Sequence, residues 1–107
     1  MEKQITLKDK IHFSGKGIHT GVFTNMTLIP AKENNGIVFV RTDKENTRIK
    51  AIVDNIYSTE RSTNLKKNNV FVKTVEHILA AIVGNNIENI DILIDNEEVP
   101  ILDGSAK

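Results

Sequence analysis

The residues best suited to chemistry are the neighbours Glu76 and His77, at the start of a segment with helical periodicity. A neutral imidazole can donate a lone pair to a metal ion, and a carboxylate beside it can take a proton from a water bound to that ion. The helix dipole disfavours a positive charge near a helix N-terminus and so favours the neutral imidazole. The pair therefore indicates a hydrolytic metal site, with His77 as a ligand and Glu76 as a base.

A catalytic zinc site uses three protein ligands and one open position, so one histidine supplies only the first ligand. The chain has 3 histidines, and the other two, His12 and His19, lie on a predicted strand and in a glycine-rich loop. A site built from the three histidines stays possible, but no pattern in the sequence supports it. We expect the missing ligands to come from another folded unit.

The helix that must position this pair is predicted to span Thr74 to Val83. We expect Thr74 to cap its N-terminus and Gly84, followed by two asparagines, to end it in a left-handed conformation. Five apolar residues recur at helical spacing and predict one buried face: Val75, Ile78, Leu79, Ile82 and Val83.

The opposite face of this helix carries Thr74, His77 and Ala81 and is small and nearly uncharged. A helix with its back to water normally shows lysine, glutamate or glutamine there. We infer that another element packs on this face and that Glu76 and His77 lie at the mouth of the contact.

The composition excludes several classes of protein. The chain has 107 residues, which suits a single domain, and its 14 basic residues balance 14 acidic residues. No net charge attracts nucleic acid or an anionic membrane, and the absence of cysteine excludes disulfides, thiol catalysis and thiolate metal sites. No apolar run is long enough for a signal peptide or a membrane span, so a cytoplasmic protein without integral membrane association is expected.

The first half of the chain reads as strands and turns. Alternating apolar residues predict a strand from Gln4 to Phe13, followed by a glycine-rich loop from Ser14 to Gly21. Runs from Thr24 to Ala31 and from Gly36 to Asp43 predict two strands. Because Asn35-Gly36 is typical of a type I′ turn, we expect these two strands to form a hairpin.

The second half adds the helix and completes the predicted fold. A hairpin from Thr63 to Thr74, turning at residues 67–69, feeds the helix, and a strand follows around Ile90 to Ile94, whereas Ile49 to Tyr57 mixes a short strand with a helical turn. These elements predict an α+β, two-layer sandwich, a mostly antiparallel sheet with one main helix packed on one face. The chain stops just past an apolar pair and a Gly-Ser turn rather than a polar tail, so we expect further chain to follow.

Four blocks, in this order, resemble the N-terminal domain of the UDP-3-O-acyl-N-acetylglucosamine deacetylase family, zinc amidases of bacterial lipid A biosynthesis. They cover nearly the whole of residues 1–107, which makes the resemblance far more specific than any single block. The blocks are Gly15–Gly21, Gly36–Asp43, Thr74–Ala81 and Glu98–Ala106.

The resemblance implies that His77 is a zinc ligand and that Glu76 is the general base that activates water for attack on the acetamide carbonyl. His19 resembles a family residue near the substrate. Asp103 matches an acidic position with an orienting or structural role, and a similar role is expected for Thr74.

The segment Glu60 to Leu65 occupies the place of a family segment that lines the active site. The resemblance thus places Ser62, Thr63 and Leu65 near the substrate, although Glu60 and Arg61 are more polar than the family pattern.

The family also has a second domain, which brings further zinc ligands and the groups that stabilise and protonate the tetrahedral intermediate. We expect this domain to be absent from residues 1–107, and the chain alone to be inactive on UDP-3-O-acyl-N-acetylglucosamine. The alternative is a non-catalytic, stand-alone module of the same fold that pairs with a partner chain through the back of the helix.

Overall fold

The computed structural model describes residues 9–60 and 62–101. These residues form a five-stranded sheet, a three-stranded sheet and one α-helix. The elements are β1 (Ile11–Lys16), β2 (Phe23–Pro30), β3 (Ile37–Arg41), β4 (Thr47–Lys50), a 3-10 turn (Val53–Asn55), β5 (Ile56–Ser58), β6 (Thr63–Lys67), β7 (Val70–Val72), α1 (Glu76–Gly84) and β8 (Ile90–Ile94).

The large sheet has the strand order β1-β2-β8-β3-β4, and the small sheet has the order β5-β6-β7. All strand pairs are antiparallel except β3 with β8, which is parallel. The predicted α+β fold with mostly antiparallel strands and one helix is confirmed.

A single hydrophobic core joins both sheets and the helix. The large sheet contributes Met26, Phe39 and Ile92, while Leu65 of β6 and Ile82 of α1 come from the opposing side. The second layer therefore holds the small sheet as well as the predicted helix.

The predicted hairpin at Asn35-Gly36 is wrong, because β8 lies between β2 and β3. The positive φ angles fall on Asn34 (70°) and Gly36 (73°), not on two successive residues as a type I′ turn requires. Gly36 instead anchors the connection to β8, since its N–H donates to Asn89 Oδ1 and its carbonyl accepts from the N–H of Ile90.

The second predicted hairpin, β6 to β7, is confirmed. Its turn residues Asn68 and Asn69 have φ angles of 51° and 67°, as a type I′ turn requires. The hairpin leads within four residues to α1, which begins at Glu76.

The helix begins at Glu76 rather than at Thr74, and Thr74 is not its cap. Val75 occupies the N-cap position without a side-chain cap bond, while the Thr74 hydroxyl donates to Glu98. The predicted burial of Val83 is also wrong, since its side chain is 62% exposed. The left-handed residue after the helix is Asn86 and not Gly84.

The predicted glycine-rich loop starts later than expected, because Ser14 to Lys16 belong to β1. The part of the predicted first strand before Asp9 lies outside the described residues. No helix in residues 9–60 and 62–101 is long and apolar enough to cross a membrane.

Candidate active site

A cleft of about 510 Å³ opens along the back of α1. Its walls come from the helix start, from the loop after β1 and from the segment after β8. It is lined by Ile18, His19, Thr74, Glu76, His77, Ala81, Val99, Pro100 and Ile101.

Glu76 and His77 both face this cleft from the first turn of α1. His77 is exposed, and its imidazole has no hydrogen-bond partner among the described residues. Glu76 is half-buried, and its Oε1 accepts a hydrogen bond of 3.2 Å from the backbone N–H of Thr63. The carboxylate is therefore held by β6, while the imidazole nitrogens stay available to a ligand.

A second carboxylate, Glu98, contacts the cleft residues His19 and Thr74 and is only 1% exposed. Its Oε1 accepts from the backbone N–H of Thr20 at 2.8 Å, and its Oε2 accepts from the Thr74 hydroxyl at 2.8 Å. The backbone N–H of His19 lies 3.2 Å and 3.1 Å from the two oxygens. Three donors on two separate segments thus converge on one side chain.

Burial alone would raise the pKa of Glu98, because it disfavours the charged form. The hydrogen bonds from Thr20, Thr74 and His19 outweigh burial, and the pKa lies below its usual value. Glu98 is therefore a buried, ionised carboxylate that is stabilised by neutral donors.

Gly17 makes this arrangement possible through the space it leaves. A Cβ at this position would lie 2.1 Å from Oε1 of Glu98. The loop then closes on itself, since the N–H of Gly21 donates to the carbonyl of Gly17. Only a glycine at residue 17 lets the loop approach the carboxylate this closely.

Thr74 joins the helix start to the rest of the site in a strained conformation. Its φ of 63° is left-handed, which is rare for a β-branched residue. Its N–H donates to Asn64 Oδ1 at 2.9 Å and its hydroxyl to Glu98, so two buried side chains hold it in place. Such strain persists only where the surroundings over-determine it, and it concentrates at functional sites.

The residues predicted to lie near the substrate fall in different places. His19 lines the cleft and also a second cavity of about 260 Å³, which Ser62 borders. Thr63 binds Glu76 through its backbone, whereas Leu65 is fully buried in the core and supports the site only by packing. Asp103 lies outside the described residues.

The described residues supply only part of the ligand set that a metal ion needs. In residues 9–60 and 62–101, no three or more His, Cys, Asp or Glu side chains come together. His12 lies on β1, within 3.0 Å of hydroxyls of Thr27 and Ser14, and does not line the cleft with His77. An exposed imidazole beside a carboxylate fits one ligand and one base of a zinc site that needs further ligands.

Glu98 is the residue that the sequence analysis missed. The resemblance includes it in the block Glu98–Ala106 but implies no role for it. The sequence does contain a signal for Glu98, because it directly precedes the apolar residues Val99, Pro100 and Ile101. A carboxylate is buried among apolar residues only when it has hydrogen-bond or charge partners.

The comparison with known proteins gives a consistent result. The family model described as UDP-3-O-acyl N-acetylglycosamine deacetylase matches residues 4–107. The UDP-3-O-acyl-N-acetylglucosamine deacetylase of Chlamydia caviae is 47% identical over 103 residues, which are 96% of this chain and 37% of that protein. The protein of the same name from Geotalea uraniireducens is 46% identical, over 99% of this chain and 35% of its own length.

The bifunctional enzyme LpxC/FabZ of Porphyromonas gingivalis is 48% identical over 108 residues, which cover 100% of this chain and 23% of that protein. The chain thus spans little more than a third of the length of these curated relatives, or less.

Proposed function

Since this chain belongs to the UDP-3-O-acyl N-acetylglycosamine deacetylase family, we propose that it forms the part of a zinc-dependent amide hydrolase that supplies one zinc ligand, His77, and the general base, Glu76. The substrate is UDP-3-O-acyl-N-acetylglucosamine, from which acetate is released in lipid A biosynthesis. The observation that supports the proposal is the placement of both side chains on one helix turn, facing one cleft.

Each residue has a distinct task in this reaction. His77 would hold the metal through a ring nitrogen, since the imidazole has no other partner in the described part of the chain. Zinc, when bound, lowers the pKa of water and polarises a carbonyl oxygen. Glu76 accepts the proton of the attacking water, and the bond from Thr63 N–H to Oε1 orients the carboxylate while leaving Oε2 for that proton.

We also propose that a second folded unit covers the back of α1 and brings the other ligands. The cleft has exposed apolar lining residues, since Ile18 is 65% and Ile101 50% exposed, and Ala81 is exposed as well. Within the described residues, His77 is the only histidine of the helix, so a complete site requires donors from elsewhere.

The experiment measures zinc content and acetate release by the full-length gene product. Glu76→Gln is expected to retain zinc and lose about 100-fold or more in kcat, because only the proton acceptor is removed. His77→Gln is expected to lose zinc as well as activity. Glu88→Gln, an exposed carboxylate that lines a different cavity, should match the wild type.

Full activity of Glu76→Gln would contradict its role as the base, and full zinc content of His77→Gln would contradict its role as a ligand. The alternative, a non-catalytic module that pairs with a partner chain, is tested by light scattering. A stable homodimer of the wild type that His77→Gln leaves intact and Ala81→Glu disrupts, without acetate release, would favour that alternative.

A further inference from the structure

Glu98 has no assigned task in the proposed reaction, yet from the segment after β8 it contacts the other two walls of the cleft, the loop after β1 and the residue Thr74 before α1. The loop at His19 and Thr20 and the residue Thr74 are far apart in the chain and meet at this carboxylate. None of the ion pairs in residues 9–60 and 62–101 includes Glu98, so it is not there to neutralise a cation.

The donors require an acceptor on both oxygens. Thr20 N–H points to Oε1, and the Thr74 hydroxyl points to Oε2, while His19 N–H reaches both. A carboxylate accepts at both positions, whereas an amide of the same shape places its NH₂ group against at least one donor. An acceptor at both positions, and not only the volume, is therefore needed.

The helix start depends on the same contacts. Thr74 lies two residues before Glu76, and its left-handed φ sets the direction in which the chain enters α1. Because a β-branched residue does not adopt this conformation alone, its hydroxyl bond to Glu98 and its N–H bond to Asn64 must hold it.

We propose that Glu98 is a positioning residue, which fixes the loop at His19 and the left-handed Thr74 relative to Glu76 and His77. Its effect on turnover rests on the proposed function, whereas its effect on the loop does not. Glu98 does not line the cleft of Glu76 and His77; it lines the second cavity with Ser62 and acts on the cleft through the segments it binds.

The adjacent Glu97 provides a matched control. Glu97 also lies in the segment after β8, but its carboxylate pairs with the Lys73 ammonium at 3.2 Å and its side chain is 38% exposed. Glu97→Gln and Glu98→Gln thus make the same chemical change at neighbouring positions, only one of which touches the loop.

The first measurement is amide hydrogen exchange by NMR on the full-length gene product. In Glu98→Gln the His19 and Thr20 amides are expected to exchange about tenfold faster or more, because their acceptor is weakened. In Glu98→Asp the exchange rates of these amides should lie between those of the wild type and those of Glu98→Gln. In Glu97→Gln they should match the wild type. Exchange of these amides within twofold of the wild type in Glu98→Gln would overturn the proposal.

The second measurement separates positioning from mere stability. Acetate release by Glu98→Gln, corrected for the folded fraction, is expected to fall about tenfold or more in kcat with unchanged zinc content. Thr74→Val removes the hydroxyl donor and should lose part of the same amount in kcat. Thr74→Ser keeps a hydroxyl and should have the kcat of the wild type. A lowered melting temperature with wild-type kcat in the folded molecules would show a structural role only and overturn the positioning role.

The two claims can fail separately. If the wild-type gene product releases no acetate, the proposed function fails, while the exchange rates still decide whether Glu98 holds the loop. If Glu98→Gln does not fold, Thr74→Val decides in its place, since faster exchange at His19 supports the proposal and unchanged exchange contradicts it.

Discussion

The two carboxylates near the cleft, Glu76 and Glu98, differ in what surrounds them. Glu76 is half-buried with one backbone donor on Oε1, so its second oxygen can exchange a proton with a ligand in the cleft. Glu98 is enclosed by three donors that all favour its charged form. At the scale of the residue, accessibility makes the first suited to catalysis and the second to holding structure.

The contact between Gly17 and Glu98 gives a test at a single residue. Gly17→Ala should lower the free energy of unfolding by about 1–3 kcal/mol, because the new Cβ overlaps the buried carboxylate and forces the loop or Glu98 to move. Chemical denaturation measures this. Gly15→Ala is the matched control, since its Cβ would meet ordinary contacts at 3.5 Å or more. Equal stability of the two variants would contradict the packing described for Gly17.

The sequence predicts those parts of the site that are formed by residues close together in the chain. Glu76 and His77 are adjacent in sequence on a periodic helix, so their shared direction follows from helical geometry. The bonds of Glu98 to His19 and Thr20 join residues 79 and 78 positions apart, and no spacing rule reports such a contact. The prediction of Thr74 as a helix cap is wrong for the same reason, because the partner of its hydroxyl, Glu98, is distant in the chain.

The elements that the sequence predicts best are those whose turns depend only on their own residues. The β6–β7 hairpin needs only its two asparagines in left-handed conformations. The turn at Asn35-Gly36 looked similar, but β8 takes the place between β2 and β3 and buries Ile90, Ile92 and Ile94. Burial of the isoleucines of β8 at the sheet centre outweighs the local preference of a turn.

The β6–β7 turn predicts an order of stabilities at residue 69. Asn69→Gly should raise the free energy of unfolding by about 0.5 kcal/mol, and Asn69→Ala should lower it by about 1 kcal/mol, because an alanine in the left-handed region is strained. At the strand position Lys66 the order should reverse, with glycine below alanine. Thermal unfolding of the four variants checks this, and alanine above glycine at residue 69 would contradict the turn geometry.

The helix α1 provides a matched pair of neighbouring side chains. Ile82 is 3% exposed and belongs to the core, whereas Val83 is 62% exposed. Ile82→Ala should therefore cost about 2–5 kcal/mol, and Val83→Ala should change the stability by no more than about 0.5 kcal/mol. Denaturant unfolding measures both. A large cost at Val83 in the isolated chain would mean that Val83 is buried, as its place in the periodic pattern predicts.

At the scale of the molecule, the two sheets are joined by the core and by the buried guanidinium of Arg41. Arg41 of β3 is only 4% exposed and donates through Nη1 to the carbonyl of Phe71 on β7. Its Nε and Nη2 bind the two oxygens of Asp43 at 2.8 Å and 2.7 Å. Asp43 thus neutralises the guanidinium that links the large sheet to the small one.

This link predicts how acid affects the whole protein. The hydrogen bond from Arg41 is the largest effect on Asp43 and holds the pKa of Asp43 below its usual value of 3.8; hydrogen bonds also hold the pKa of Glu98 below its usual value of 4.5. Both carboxyls have a lower pKa in the folded state than in the unfolded state. Their contribution to stability is therefore fully present above about pH 5 and is lost as the pH falls through the folded-state values.

Urea unfolding between about pH 6 and pH 2.5 tests this prediction, because in this range the carboxyls of the unfolded chain take up protons before those of the folded state. Asp43→Asn should be less stable than the wild type near neutrality, and the two curves should converge as the pH falls, since the variant has no charge to lose at residue 43. Asp54→Asn removes an exposed carboxylate with no partner among the described residues, so its curve should run parallel to the wild type. A constant difference between Asp43→Asn and the wild type at every pH would mean that Asp43 acts through packing and not through its charge, and the link between the sheets would then not depend on ionisation.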